Sequence, residues 1–309
     1  SFRRRLNHDG TMVRQVTENV AGPLVAGCRD MWSLEQQKHR LATLFARAFA
    51  APTADQAVGL ARTGLRMAPG TGGSQLGGLP RLDDTTPWPT RGDEPLDPLA
   101  VIDLIDLAET SRYDLPELPS DVRFLNVFFV VDAPVLRRTA DEPTSTWRVV
   151  PAGSDAAERA APEGARVGPT RPVSLRPVLT LPTWEDEIVA HTLGVAEGPY
   201  SPSPLLESYR DVSKAWRDRV DDVLGGVDHR IGGWPNPLQA PVFDRVARDS
   251  ARYPQFSTHG SAWRLLLQLD TDDDLGWRWG DTGRLYFAIG EARLRAGEFA
   301  ATWLEMQCT

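Results

Sequence analysis

Two short stretches, Gln75-Leu-Gly-Gly-Leu-Pro80 and Arg230-Ile-Gly-Gly-Trp-Pro235, share the form x-[Leu/Ile]-Gly-Gly-x-Pro. Each precedes an apolar segment that ends in a hydrophobic residue followed by aspartate, Ile105-Asp106 after the first stretch and Leu269-Asp270 after the second. An aromatic segment then follows in both places: Phe124–Phe129 and Leu285–Ile289. Because three elements recur in the same order, the sequence predicts an internal duplication.

The helical and strand patterns divide the chain in two. Residues 1–67 are predicted to be an N-terminal helical extension, because Ser33-Leu-Glu-Gln36 and Thr53-Ala-Asp-Gln56 both have the capping-box form that begins a helix. Residues 68–309 form the second predicted domain, in which the duplicated units cover about 74–150 and 229–309. Since helices and strands do not alternate regularly, the predicted class is α+β: two pseudo-repeated antiparallel β units with packed helices, preceded by a helical pair.

Short apolar or alternating runs give the predicted strands. They are Val101–Leu107, Phe124–Val131, Trp147–Val150, Val178–Leu181, Trp263–Leu269, Leu285–Ile289 and Trp303–Gln307. Helices are predicted from Ser203-Pro204, where serine suits the cap and proline the first turn, and from Pro241. Residues 152–173 are rich in Ala, Pro, Gly and Glu, so we expect them to form an exposed, mobile loop.

The composition excludes several classes of protein. A chain of 309 residues with 41% hydrophobic residues can bury a substantial core. No apolar run approaches the roughly 20 residues of a membrane-spanning helix, and a formal net charge of -8 argues against a general nucleic-acid binder. Two cysteines, Cys28 and Cys308, cannot form a disulfide framework. We therefore expect a cytoplasmic protein that binds neither nucleic acid nor a membrane.

Several motifs over roughly residues 74–309 carry a family resemblance. They are Ser74-Gln-Leu-Gly-Gly-Leu-Pro80, Trp88-Pro89, Ile105-Asp-Leu-Ala-Glu109, His229-Arg-Ile-Gly-Gly-Trp-Pro-Asn-Pro-Leu-Gln239, Leu265-Leu-Leu-Gln-Leu-Asp270 and Trp279-Gly-Asp-Thr-Gly-Arg-Leu-Tyr-Phe287. These motifs resemble the YwqG-like family of uncharacterised bacterial proteins. The resemblance implies an α+β fold and, from the genes that accompany its members, an immunity protein that neutralises a toxin. Where the family reads Gln-Ile-Asp in the first repeat, this chain has Leu104-Ile-Asp106, whereas Gln268-Leu-Asp270 keeps the pattern.

Glycines and tryptophans near the two repeats are candidate binding residues, together with two glutamines of the family motifs. The set is Gly77, Gly78, Trp88, Gly232, Gly233, Trp234, Gln239, Gln268, Trp277 and Trp279. Paired glycines permit positive φ or close approach of another backbone, so they either line a cleft or form tight structural turns. The two tryptophans of Trp277-Arg-Trp279 would share one face of a strand. The tryptophans predict an aromatic-lined groove, with core packing as the alternative.

An aspartate-rich segment follows the apolar strand of the second repeat. Asp270, Asp272, Asp274 and Asp281 stand at positions 1, 3, 5 and 12 of a loop, the spacing at which oxygen ligands surround calcium. Position 6 is Leu275 instead of glycine, and the flanking segments are predicted strands. The segment therefore predicts either a divalent-cation site or a solvated acidic hairpin tip, and no other cofactor is expected.

Acid and base groups for an enzyme would come from the same half of the chain. The candidates are Asp270, Asp281, His229, Glu187 and His191. Glu187 and His191 stand four apart, which on a helix makes them an acid/base pair or a surface salt link. The sequence contains no phosphate loop and no nucleophile-elbow or zinc-protease motif.

Two functions remain open from the sequence. The first is a non-enzymatic immunity or inhibitor protein that binds a protein partner, a basic toxin, through an acidic, aromatic-lined cleft between the repeats. The alternative is an enzyme that acts on a small molecule at a carboxylate and histidine site in that cleft. A buried pocket at which those side chains converge would favour the enzyme.

Overall fold

A computed structural model defines the fold, and all structural statements below concern the residues that it describes. These residues are 32–109, 115, 118–131, 146–196, 198–200, 202–254, 256 and 262–309. Most of the predicted N-terminal extension before the first helix, including Cys28, lies outside the described residues.

The first two helices follow from local sequence. Helix α1, Leu34–Ala48, buries Gln37, Leu41 and Phe45, which recur every four residues and so share one face. Helix α2, Ala51–Gly59, carries Pro52 in its first turn, where the missing N–H removes no helical hydrogen bond. The capping box predicted from Thr53 is wrong, because Thr53 already lies inside the helix.

The remaining regular elements of the described chain are short, apart from one long helix. The helices are α3 Leu104–Glu109, α4 Glu187–Thr192, α5 Pro204–Leu224, α6 Val242–Ser250 and α7 Glu291–Arg295. The strands are β1 Arg62–Pro69, β2 Gln75–Leu76, β3 Arg81–Leu82, β4 Thr90–Arg91, β5 Glu94–Pro95, β6 Asp97–Asp103, β7 Phe124–Phe129, β8 Trp147–Ala152, β9 Ala157–Glu158, β10 Arg171–Thr180, β11 Arg230–Gly232, β12 Trp263–Asp270, β13 Arg284–Gly290 and β14 Trp303–Gln307. None of the described helices combines the length and the apolar character needed to cross a membrane.

Ten strands form one antiparallel sheet in the order β14-β13-β12-β11-β1-β10-β2-β6-β7-β8. The sheet curls until its two edge strands approach each other. The rings of Trp147 in β8 and Trp303 in β14 have centroids 5.9 Å apart, and the Trp147 indole donates to the Thr302 carbonyl at 2.9 Å. The prediction that helices accompany a large antiparallel sheet is confirmed.

Two four-strand groups flank a central strand pair. The first group is β2-β6-β7-β8, the second group is β11-β12-β13-β14, and β1 and β10 lie between them. Strand β1 precedes the first group in sequence but pairs with β11 of the second. Strand β10 precedes the second group but pairs with β2 of the first. Strand β1 was not among the predicted strands, and the boundary predicted after residue 67 falls inside it.

The strand register changes the alignment of the two repeated stretches. Gln75 pairs with Val101, and Arg230 pairs with Gln268. Val101-Ile-Asp103 therefore occupies in the first group the place that Gln268-Leu-Asp270 occupies in the second. The segment Leu104-Ile-Asp106 is not the end of a strand as predicted but the start of helix α3, because the Asp103 carboxylate accepts from the Ile105 amide at 3.0 Å and caps that helix.

The segment predicted as a mobile loop over 152–173 contains regular structure at both ends. Ala152 is buried at the end of β8, and β10 begins at Arg171. Between them, β9 pairs with β3, and the Arg166 amide donates to the Asp97 carboxylate at 2.7 Å. This connection therefore contacts the rest of the fold at several points, although many of its side chains are exposed.

The main hydrophobic core joins residues of both strand groups. It includes the fully buried side chains of Trp147, Trp263, Phe287 and Trp303. Burying each such side chain contributes roughly 2 to 3 kcal/mol to folding. Large aromatic residues of both strand groups therefore contribute to one core.

Candidate functional site

The two Gly-Gly pairs are left-handed turns that follow short strands. The first pair, Gly77-Gly78, has φ values of 64° and 71°, and the second, Gly232-Gly233, has 65° and 71°. The amides of the first pair donate to the carbonyls of Leu99 and Gly168. A Cβ on Gly233 would lie 2.6 Å from Oγ1 of Thr180. The pairs therefore act as tight turns against neighbouring chain, and their surroundings leave no open cleft at these glycines.

A polar side chain before each turn contacts the neighbouring strand in the same way. The Ser74 hydroxyl accepts from the Asp103 amide at 3.0 Å, and Nδ1 of His229 accepts from the Asp270 amide at 3.1 Å. Because Nδ1 accepts a hydrogen bond, the ring proton of neutral His229 lies on Nε2, which donates to the Asp272 carboxylate at 3.1 Å. Both ring nitrogens of His229 are thus used within the protein.

A buried aspartate neutralises two arginines on adjacent strands. Arg66 of β1 and Arg230 of β11 lie directly opposite each other, a placement that is repulsive without a counter-ion. Oδ1 of Asp228 lies 2.9 Å from Nη1 of Arg66 and 2.7 Å from Nε of Arg230. Burial acts to raise the pKa of Asp228, but the charges of the two arginines outweigh it and hold that pKa far below its usual value.

Asp270 and Arg284 extend this buried network to the next two strands. Nε of Arg284 lies 3.0 Å from Oδ1 of Asp270, while Oδ2 of Asp270 accepts from the Asp228 amide at 3.1 Å. Arg284 and the Tyr286 hydroxyl both donate to the Asn236 carbonyl, at 3.0 Å and 2.9 Å. Asp270 is therefore held by an ion pair and by backbone, which leaves it poorly placed to accept a substrate proton.

Asp272 organises the start of the loop after β12. Its Oδ1 accepts from the amides of Asp274 and Leu275, and its Oδ2 accepts from His229 and from Arg171. Burial acts to raise the pKa of Asp272, but these side-chain hydrogen bonds outweigh it and place the pKa well below the usual value. The carboxylate therefore remains ionised at neutral pH.

The four aspartates of the predicted cation site do not converge. Asp270 and Asp272 point to the partners just named, whereas the Asp274 side chain is 90% exposed. Asp281 is exposed, and its carbonyl accepts from the Thr309 hydroxyl at 2.6 Å. Within the described parts of the chain, no group of three or more His, Cys, Asp or Glu side chains could hold a metal ion. The calcium-like spacing is therefore a spacing in sequence only.

The predicted aromatic groove is not formed, because its tryptophans are packed inside the fold. Trp277 and Trp279 are 4% and 1% exposed, with ring centroids 5.6 Å apart. Trp234 is buried, and its indole donates to the Leu60 carbonyl. Trp88 is half-buried and donates to Leu96 in the same manner. The core-packing alternative is the one that the structure supports for these tryptophans. The solvated hairpin tip does not describe Asp272, which is buried, whereas Asp274 and Asp281 are exposed.

A family comparison covers the strand groups and this network. The model of a family described as a domain of unknown function, DUF1963, matches residues 74–308. The chain belongs to this family. None of the curated proteins matches it. The DUF1963 match contains both Gly-Gly turns and the polar residues from Asp228 to Arg284, while Arg66 of strand β1 lies before it.

The remaining predicted site residues of this DUF1963 chain lie apart from the network or support it. The Gln268 side chain accepts from the Asn236 amide and donates to the Asp228 carbonyl, so it is structural. Gln239 likewise donates to the Cys308 carbonyl. Glu187 and His191 lie on helix α4, as the helical spacing predicts, and both are exposed. The predicted catalytic side chains therefore do not meet in one pocket.

An acidic patch that the sequence reasoning missed surrounds helix α4 of the DUF1963 chain. It consists of Glu185, Asp186, Glu187 and Asp244. Burial, and then the charge of Asp244, raises the pKa of Asp186 to about 7, and burial also raises the pKa values of Glu185 and Asp244. Tyr200, 72% exposed, lies in the field of the same carboxylates. The sequence signal that could have indicated this patch is the run of three consecutive acidic residues at 185–187.

Proposed function

We propose that this chain is a non-enzymatic, cytoplasmic binding protein of the immunity or inhibitor type, and that its partner is a basic protein. The single observation that carries the proposal is the acidic patch with its exposed aromatic residue. Charged side chains in such a patch attract a partner of opposite sign, and tyrosine is enriched among the residues that dominate binding energy at protein interfaces.

Like charges outweigh the opposing charges of Arg62 and Arg248 in this patch, which makes it suited to a cationic partner. Among the described residues, none of its four carboxylates has a basic group within salt-bridge distance. Asp244 raises the pKa of Asp186, and Glu187 raises that of Asp244, which is the signature of like charges held close together. A lysine or arginine of a partner would relieve this repulsion, so binding energy comes from a strain already present in the free protein.

The other candidate catalytic side chains support binding over catalysis, because their contacts within the protein or their position leave them unsuited to act as a base. His229 uses both ring nitrogens, Asp270 is paired with Arg284, and Asp281 is exposed on a loop. A general base needs a free acceptor within reach of a substrate proton. His229 and Asp270 instead join strands β11, β12 and β13 to one another.

We also propose that the chain is YwqG-like and that it arose by an internal duplication. Each four-strand group begins with a Gly-Gly turn of the same handedness, and the side chain before each turn accepts from the amide of Asp103 or of its counterpart Asp270. A duplication that exchanged the leading strands β1 and β10 accounts for both the order of the strands and this shared hydrogen bond.

Binding to the purified product of a neighbouring gene tests the proposed function. The patch variant combines Glu185→Gln, Glu187→Gln and Asp244→Asn with Tyr200→Ala. We expect it to bind at least about tenfold more weakly in isothermal titration calorimetry, because it removes both the attraction and the aromatic contact. A steep loss of wild-type affinity with added salt should accompany this result.

The loop after β12 supplies a matched control for the patch variant. Asp273, Asp274 and Asp281 are also exposed acids, so their conversion to asparagine removes the same number of charges elsewhere. This control should bind within about twofold of the wild type. Equal binding by both variants would refute the acidic patch as the binding surface. Turnover of a small molecule without any protein partner would refute the binding function.

A further inference from the structure

A shallow cleft that opens to solvent lies between helix α5 and the middle of the sheet. Helix α5 lines it with Trp216, Arg217 and Asp221. The sheet lines the other side with Arg230 and with residues 178–181, which are the end of β10 and the residue after it. The cleft is separate from the acidic patch, since none of the four patch carboxylates lines it. The polar residues Thr180 and Asn236 line it as well, next to apolar side chains such as Val178 and Val220.

The charged groups at the cleft are paired, with one exception. Arg230 binds the Asp228 carboxylate, and Asp221 accepts from Nη1 of Arg66 at 3.3 Å. For Arg217, the described residues supply neither a hydrogen bond nor a salt bridge to its guanidinium. Of the three charged residues that line the cleft, Arg217 is thus the one that forms no ion pair with a described residue.

The neighbours of Arg217 on its own helix do not supply the missing anion. Asp218 is exposed and binds Nζ of Lys214 at 2.6 Å. The hydroxyl of Tyr209 donates to the Pro182 carbonyl at 3.1 Å, so it is neutral and bonded. Burial lowers the pKa of Arg217, and this effect outweighs the opposing influence of Tyr209, Asp218 and Asp221. A desolvated cation with no partner is costly, and an incoming anion would remove that cost.

We propose that this cleft binds a small oxyanion, a carboxylate or phosphate group, and that the Arg217 guanidinium is its principal donor. A guanidinium matches either oxyanion with two parallel N–H donors. The apolar side chains of Val178 and Val220 line the same cleft. This ligand site goes beyond the proposed protein partner, because its charge preference is opposite to that of the acidic patch.

Calorimetric titration of the full chain with inorganic phosphate, and separately with acetate, in a buffer of low ionic strength tests the site. We expect at least one of the two anions to bind and to raise the melting temperature of the wild type. Arg217→Gln should weaken that binding by at least about tenfold, and Arg217→Lys should weaken it less, because lysine keeps the charge but loses the paired donors. Binding of phosphate alone identifies a phosphate ligand, and binding of acetate alone identifies a carboxylate.

Arg219 provides the matched control, since it lies two residues further along α5, is exposed and does not line the cleft. Arg219→Gln should bind the anion as the wild type does. In the absence of anion, Arg217→Gln should be at least as stable as the wild type, because it removes an unpaired desolvated charge. The proposal is overturned if neither anion binds, if Arg217→Gln binds as tightly as the wild type, or if Arg217→Gln and Arg217→Lys both unfold without any anion effect on the wild type.

Discussion

The first and second strand groups share a backbone plan and differ in what they bury at matching positions. Both have a Gly-Gly turn of positive φ, and both have a side chain before the turn that accepts from the amide two residues beyond the paired position. In the first group that side chain is Ser74, and the paired position is Val101. In the second, His229 and Gln268 stand in these places. The same turn and strand pairing therefore accommodate either an apolar or a polar side chain at the paired position.

The aspartate two residues after each paired position lies in a different environment in the two groups. Asp103 in the first group pairs with Arg123, whose side chain is 36% exposed. Asp270 in the second pairs with Arg284, which is 14% exposed and contacts the rest of a buried ionic network. An ion pair near the surface contributes little, whereas a buried charge that loses its partner is costly. The second group should therefore depend far more on its charges than the first.

The largest expected effect comes from the aspartate at the centre of the second network. Asp228→Ala leaves the buried Arg230 without its carboxylate partner and leaves Arg66, directly opposite, with only the half-exposed Asp221. We expect a loss of about 3 to 5 kcal/mol in the free energy of unfolding, measured by urea denaturation. Removal of the ion-paired aspartate of the first group, Asp103→Ala, should cost about 1 to 2 kcal/mol, since Arg123 can turn to solvent. Equal losses would show that the two groups do not differ in this way.

A smaller difference is expected between the two Gly-Gly turns. A Cβ on Gly233 would come within 3.0 Å of the Gly64 backbone, whereas on Gly78 it would meet only the movable side chains of Thr170 and Gln75. Gly233→Ala should cost about 3 kcal/mol and Gly78→Ala about 1 to 2 kcal/mol, again by urea denaturation. A larger cost at Gly78 would contradict the view that the second turn is the more confined one.

The smallest expected effect is a pH dependence that belongs to the second group. The pKa of Asp272 is lowered in the folded state, so its stabilisation is complete above the unfolded pKa of about 4 and is lost as the pH falls through the folded value. Asp272→Asn should lose about 1 kcal/mol at pH 7, and its deficit relative to the wild type should shrink below pH 4. The exposed Asp273→Asn variant should follow the wild type throughout, and a constant deficit for Asp272→Asn would contradict the linkage.

Local patterns were enough to predict the strongest elements of the fold. The aromatic strands at Phe124 and Leu285 and the long helix after Ser203 lie where periodicity and capping place them. Strand β1 was missed because Arg62–Pro69 alternates charged, small and apolar residues, and its burial is decided by β10 and β11, which are distant in sequence. Tertiary pairing here overrides the weak local signal.

The candidate site was harder to predict, because burial decides the role of each polar or aromatic side chain. Asp272 looks like a calcium ligand in sequence, yet it caps a turn and binds His229. Trp277 and Trp279 have the spacing of a binding face, yet they pack in the core. Arg217 carries no sequence signal at all, since its lack of a partner is visible only once the helix lies on the sheet.

The exchange of leading strands has a consequence for how the chain is made. Arg66 of β1 pairs with Arg230 of β11, which is 230 - 66 = 164 positions later in the chain. During synthesis the middle of the sheet must wait until the ribosome has released most of the sequence, while β6, β7 and β8 can already pair with one another. Such long-range pairing slows folding, and until β11 emerges β1 is paired only with β10 and presents an open edge that nascent chains could exchange between molecules.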